Sequence, residues 1–222
     1  MSEGRQGHPL ASILTDCADG RSLPVDGGWT RIPPWRPGTY AVLAFTGHAV
    51  MCVPPRWDDE ALTALGVNGF GGAADPRVIT ALAGDGGRID SLDLVVAARG
   101  RPGPQRLLVP RPDLDRHPRA QLAASWRDEL QVLGLADSAD VIVTCGRGLG
   151  GLAEIGFELA PEVRGGGLIG AVLEATTHLV CPGEVLLASA SPGNVASVRA
   201  LLAVGFAPIG SVQLFSPRGV DA

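Results

Sequence analysis

The stretch Pro161-Glu162-Val163-Arg164-Gly165-Gly166-Gly167-Leu168-Ile169-Gly170 joins two segments of different periodicity. Before it, Leu152-Ala153-Glu154-Ile155-Gly156-Phe157-Glu158-Leu159 alternates as a strand does. After it, apolar residues recur at Leu168, Val172, Ala175 and Leu179, as on one face of a helix. A strand that feeds a helix through three glycines led by an arginine predicts an anion cradle. Glycines let backbone N–H groups converge on a phosphate without Cβ interference, and the helix start adds the positive end of its dipole.

A second segment follows. Glu184 to Ser191 reads as a strand, Pro192-Gly193-Asn194 as a turn, and a helix then runs to Val204-Gly205-Phe206. With both segments in view, the chain resembles the GNAT superfamily of acyl-CoA-dependent N-acetyltransferases over about residues 105–217. Arg164-Gly-Gly-Gly167-Leu168 is similar to the family's R/Q-x-x-G-x-G/A pyrophosphate loop, and Asn194 through Gly205-Phe206 is similar to its N-x-x-S/A…G-F helix. The resemblance implies an α/β fold with a mixed central sheet flanked by helices. It implies acetyl-CoA, or another acyl-CoA, as co-substrate and an amine as acceptor. Residues Arg164, Gly165, Gly166, Gly167, Leu168, Ile169 and Gly170 would then hold the pyrophosphate. The strand end from Phe157 to Leu159 would pair with the pantetheine arm, and Asn194 would both cap its helix and touch the cofactor arm.

The catalytic groups follow less directly. Ala153-Glu154-Ile155-x-Phe157 resembles the base-bearing strand of histone-type members, where a glutamate deprotonates the incoming ammonium. Glu158 lies on the same strand face, with Gly156 between the two carboxylates. Two departures stand out. The second small residue of the loop motif falls at Ile169, with Gly170 one place later, and the tyrosine that serves many members as general acid falls at Leu201. Ser189, Ser191 and Ser197 are the hydroxyls nearest by motif position.

Composition narrows the alternatives. Over 222 residues the net charge is −5, which argues against a nucleic-acid-binding face, and all the basic residues are arginine, which leaves no lysine for Schiff-base chemistry. Cys17, Cys52, Cys145 and Cys181 show no metal-ligand spacing, the first residues lack an apolar signal core, and no apolar run reaches the ~20 residues that span a bilayer. The reading is a cytoplasmic protein with no metal, nucleic-acid or membrane partner. The acceptor is left open between small-molecule and peptide amines, and a homodimer is allowed.

The turn-rich Arg99-Gly-Arg-Pro-Gly-Pro104 suggests a boundary between a divergent α/β region, 1–104, and an acetyltransferase domain, 105–222. Residues 1–39 read as loop-dominated. Tyr40 to Phe45 and Ala49 to Val53 predict a hairpin, 57–65 and 76–82 predict helices, and 91–98 predicts a strand. A short strand near 107–110, a helix over 118–126, strands near 130–135 and 141–145 and a final strand pair over 209–215 complete the order.

Gly146-Arg-Gly-Leu-Gly-Gly151 satisfies the dinucleotide pattern G-x-G-x-x-G, but strand alternation resumes at once, so a hairpin turn is the better reading and a nicotinamide oxidoreductase ranks last. A degenerate domain that binds acyl-CoA as a sensor or scaffold is the alternative that Leu201 and Ile169 favour. The four histidines, His8, His48, His117 and His178, are isolated from one another and read as structural or surface residues, with His48 at the hairpin tip, near Thr46, the first to examine.

Overall fold

The computed structural model describes residues 7–218. The chain is mixed α/β and divides into two compact units. The first runs through Val95 and resumes at Ile209; the second is Val96–Pro208.

In the first unit, β2 (Tyr40–Phe45) and β3 (His48–Cys52) form the expected antiparallel hairpin, closed at Phe45 and His48 across Thr46-Gly47. Gly47 has φ 68°, a left-handed conformation that a side chain would resist. Helices α2 (Asp59–Ala64) and α3 (Pro76–Ala83) start on Asp58 and Asp75, whose side chains accept from Ala61 N and Arg77 N. Strand β4 (Arg88–Arg99) leads out of the unit.

Two expectations are corrected here. The opening 39 residues hold helix α1 (Pro9–Ala18) and strand β1 (Trp29–Ile32), not loop alone. Pro9 sits at the first helical position, His8 accepts from Leu10 N, and Leu10 and Leu14, one turn apart, are fully buried. The end of the chain is a single strand, β10 (Ala207–Ser216), not a strand pair, and it pairs antiparallel with β2. Phe215 lies opposite Tyr40 in that register, their rings edge to face at 5.9 Å, and Phe215 is fully buried.

In the second unit the strands run in the order β9-β8-β7-β6-β5. They are β5 (Val109–Pro110), β6 (Asp128–Leu135), β7 (Ser138–Arg147), β8 (Ala153–Leu159) and β9 (Val185–Ala190), with α4 (Pro118–Trp126), α5 (Leu168–Thr176) and α6 (Val195–Ala203). All pairings are antiparallel except β8 with β9. A core of Leu133, Val141, Val143, Leu159, Val172 and Ala175 packs α5 on the sheet. Gly146 and Arg147 end β7, paired with Glu154 and Ala153, and Gly148 to Leu152 turn into antiparallel β8 with only a 3₁₀ turn at Leu149–Gly151. No helix opens there, so the dinucleotide reading fails on its context.

Candidate functional site

The site begins where two parallel strands part. β8 and β9 pair at Ala153–Leu186, Glu154–Leu187 and Ile155–Ala188, and their pairing stops there. Both strands continue, and β8 stays paired with β7 as far as Leu159 opposite Val141. The edge of β8 from Gly156 to Leu159 therefore lacks a partner strand on the β9 side, although Leu159 O and Gly156 O accept from the Arg164 and Thr144 side chains.

A cleft of about 420 Å³ lies along that edge, within the ~300–1,000 Å³ usual for small-molecule sites. Phe157, Glu158 and Leu159 line it from the strand, and Arg164, Gly165 and Ile169 from the glycine loop and the start of α5. Asn194, Ala196, Ser197 and Ala200 line it from α6, and Arg119 from α4. The cleft thus gathers residues from both sequence segments.

The glycine loop has the form the chemistry of an anion needs. Gly165 and Gly167 adopt φ 81° and 80°, and Gly167 is the N-cap of α5 with no side chain capping the helix. Of the first-turn amides, Gly170 N donates to Gly167 O, and those of Leu168 and Ile169 are left for an external acceptor. A Cβ built on Gly165, Gly167 or Gly170 would meet nothing within 4 Å, and one on Gly166 only Val163 O at 3.8 Å, so the space above the loop is open. No acidic residue sits in the first turn. Arg164 steadies the loop by donating from Nε to Leu159 O at 2.9 Å. Gly166, Gly167, Leu168 and Gly170 belong to the loop or first turn but do not line the cleft itself. Ile169, at the place of the motif's small residue, puts its side chain on the cleft wall.

Asn194 has two positions at once: its side chain accepts from Ser197 N at 3.3 Å, capping α6, and it lines the cleft. Leu201, at the tyrosine's place, is fully buried, and Ala200 faces the cleft instead. Ser197 is the one of the three candidate serines on the cleft wall, whereas Ser189 Oγ bonds Glu154.

The two carboxylates part company. Glu158 lines the cleft and its Oε2 accepts from Arg119 Nε at 3.3 Å, both side chains partly exposed. Glu154 is buried. Its Oε1 accepts from Arg127 Nη2 at 2.7 Å and from Ser189 Oγ at 3.3 Å, and its Oε2 from Leu149 N at 3.2 Å. Sequence reading missed Arg127, which immediately follows α4. It bonds Thr144 Oγ1 and Ile155 O besides Glu154, and nothing local in the sequence marks a partner so distant. Among the described residues no group of three His, Cys, Asp or Glu side chains could hold a metal ion, and no helix is long and apolar enough to cross a membrane.

No family model and no curated protein matches the chain. Among solved structures the chain is similar to a GNAT-family acetyltransferase from Colwellia psychrerythraea, at 15% identity over 59% of this chain and 57% of that one, TM-score 0.38. It is similar to a GCN5-related N-acetyltransferase from Kribbella flavida, at 14% identity over 65% of each chain, TM-score 0.41. It is also similar to a GCN5-related N-acetyltransferase-like protein from Streptococcus suis 89/1591, at 14% identity over 82% of this chain and 85% of that one, TM-score 0.43. The chain spans just over half the length of the Colwellia protein.

Proposed function

We propose that the chain is a GNAT-type acyltransferase that binds an acyl-CoA in this cleft and passes its acyl group to an amine. One observation carries the reading: β8 loses its β9 partner beside a helix whose glycine-built start has no side-chain cap and open space above it. Amides of Gly165 to Ile169 would receive the pyrophosphate, the free edge of Phe157 to Leu159 the pantetheine arm, and Asn194 the same arm from α6. Holding thioester and amine together supplies most of the acceleration, with strand amides polarising the carbonyl.

An alkylammonium, pKa about 10, must lose a proton before it attacks. Of the two carboxylates, we assign that role to Glu158, which faces the cleft. Glu154, whose oxygens are already taken by Arg127, Ser189 and Leu149, is a positioning residue. A second reading, acyl-CoA binding without transfer, is favoured by the buried Leu201 at the place of the usual acid.

The test is calorimetric titration of the full chain with acetyl-CoA, CoA and NAD, then thioester release over an amine panel. Gly166→Asp, at a glycine outside the left-handed region with open space above it, should abolish CoA binding while circular dichroism stays native. Gly167→Asp should do the same. Undiminished CoA affinity in folded Gly166→Asp would sink the assignment, and tight CoA binding with no acylation of any amine selects the second reading.

A further inference from the structure

The first unit holds a cluster that acyl transfer in the cleft does not use. His48 is 6% exposed and lies between two partners: Nδ1 is 2.9 Å from Asp26 Oδ1, and Nε2 is 2.9 Å from Thr30 Oγ1. Asp26 Oδ1 also accepts from Gly28 N at 2.8 Å, which fixes the carboxylate. The bond from His48 above all, with that from Gly28, holds the Asp26 carboxyl below the usual carboxylate range. With the Asp26 carboxylate accepting a hydrogen bond from Nδ1–H, the other ring nitrogen, Nε2, is the acceptor for the Thr30 hydroxyl. Thr30 is exposed. Carboxylate, imidazole and hydroxyl stand in the order and at the distances that turn a hydroxyl into a nucleophile.

The surroundings supply the rest. Ala49 N donates to Gly28 O and Val53 N to Ile32 O, so in the parallel pairing of β1 with β3 the alternate residues 28, 30 and 32 turn their main-chain groups toward β3. The amides of Trp29 and Arg31 then face the other edge of β1, where no strand follows among the described residues. An amide from the residue after a nucleophile is a common donor to a developing oxyanion. Val25 and Phe70, 65% and 74% exposed, lie against Gly47 and Gly27, whose backbones bond to each other beside Asp26. They leave apolar surface open to solvent next to Asp26.

We propose that Thr30, His48 and Asp26 form a second, hydroxyl-based acyl-accepting site for an ester or thioester carrying an apolar or aromatic group. Thr30 Oγ attacks the acyl carbonyl while its proton passes to His48 Nε2, and Asp26 stabilises the imidazolium. The carbon–oxygen or carbon–sulfur bond to the leaving group breaks, and that group takes the proton from Nε2. The product is an ester on Thr30, which water cleaves in a second step by the same proton route.

The experiment uses the full chain and p-nitrophenyl acetate, reading nitrophenol release and, by peptide mass spectrometry, the acetylated residue. Wild type should give a burst stoichiometric with protein and an acetyl group on Thr30. Thr30→Ser should keep both, Thr30→Val should lose both, and Asp26→Asn should slow the burst by about 10²-fold or more, all with native circular dichroism. An equal burst from Thr30→Val, or wild type with no acetyl group on Thr30, overturns the proposal. In either case the three side chains serve only to fasten the 26–30 segment to the hairpin.

Discussion

Arg127 Nη2 and Glu154 Oε1 meet at 2.7 Å in a place where neither side chain is more than 11% exposed. A buried pair of this kind is expensive to break from one side, because the remaining charge stays in a poor solvent without its partner. Glu154→Gln should therefore cost about 3–5 kcal/mol in denaturant unfolding while leaving CoA affinity within a few fold. The double substitution Arg127→Met with Glu154→Met should cost less than Glu154→Gln alone. A stable Glu154→Gln protein with a collapsed acylation rate would return the base to Glu154.

Gly148 is tied to the same pair. A Cβ there would run into the Glu154 carboxylate and approach its Cβ at 2.9 Å, so the glycine is required by space and not by φ, which is −105°. Gly148→Ala should cost about 1–3 kcal/mol by overpacking and leave CoA binding intact. A loss of CoA binding in a folded Gly148→Ala protein would put the cofactor at the wrong loop.

If Glu158 takes the ammonium proton, Glu158→Gln should preserve acyl-CoA affinity and lower the acylation rate by about 10²-fold near neutral pH. Raising the pH should narrow the gap, since more of the acceptor is then already deprotonated. A pH-independent deficit, or none, would remove Glu158 from the proton path.

The Asp75 carboxyl is held at about 2, first by the Arg77 side chain and then by the Arg77 backbone N–H, below its ordinary value of 3.8. A folded-state value below the unfolded one means the stabilisation is present above about 4 and is lost as pH falls toward 2. Asp75→Ala should lower the melting temperature at pH 7, and its acid limb should be shallower between pH 4 and 2. Salt should weaken the difference, because the pair lies at the surface. Parallel acid limbs for the two proteins would contradict the coupling.

Phe215→Ala should destabilise by about 3–5 kcal/mol, since a fully buried ring that meets Tyr40 edge to face would be replaced by a cavity. A cost below about 1 kcal/mol would mean that β10 is not held in the first unit by its side chains.

Much of the second unit was legible because its signals are local. Pro118 and Trp126 bound α4 at the residues expected, the period change at Gly167 marks the start of α5, and Asn194 marks α6. Arg164, Gly165, Ile169 and Asn194 were read from short motifs, and these four line one cleft. Helix α1 was not, because His8 is an uncommon cap and only Leu10 and Leu14 reach the core from it. Pairings between residues far apart were also hidden. Neither Arg127 with Glu154 nor Asp26 with His48 leaves a mark in sequence spacing, and alternation in 207–216 declares a strand without saying which strand receives it.

The route of β10 has a consequence in time. Residues 96–208 form their unit from one uninterrupted stretch, which can fold as soon as it leaves the ribosome. The unit begun by the first residues must wait for 209–216 to be synthesised before β2 gains its neighbour, so one flank of its hairpin is unprotected throughout translation. The unit that holds the hairpin is thereby finished after the one that interrupts it in the chain.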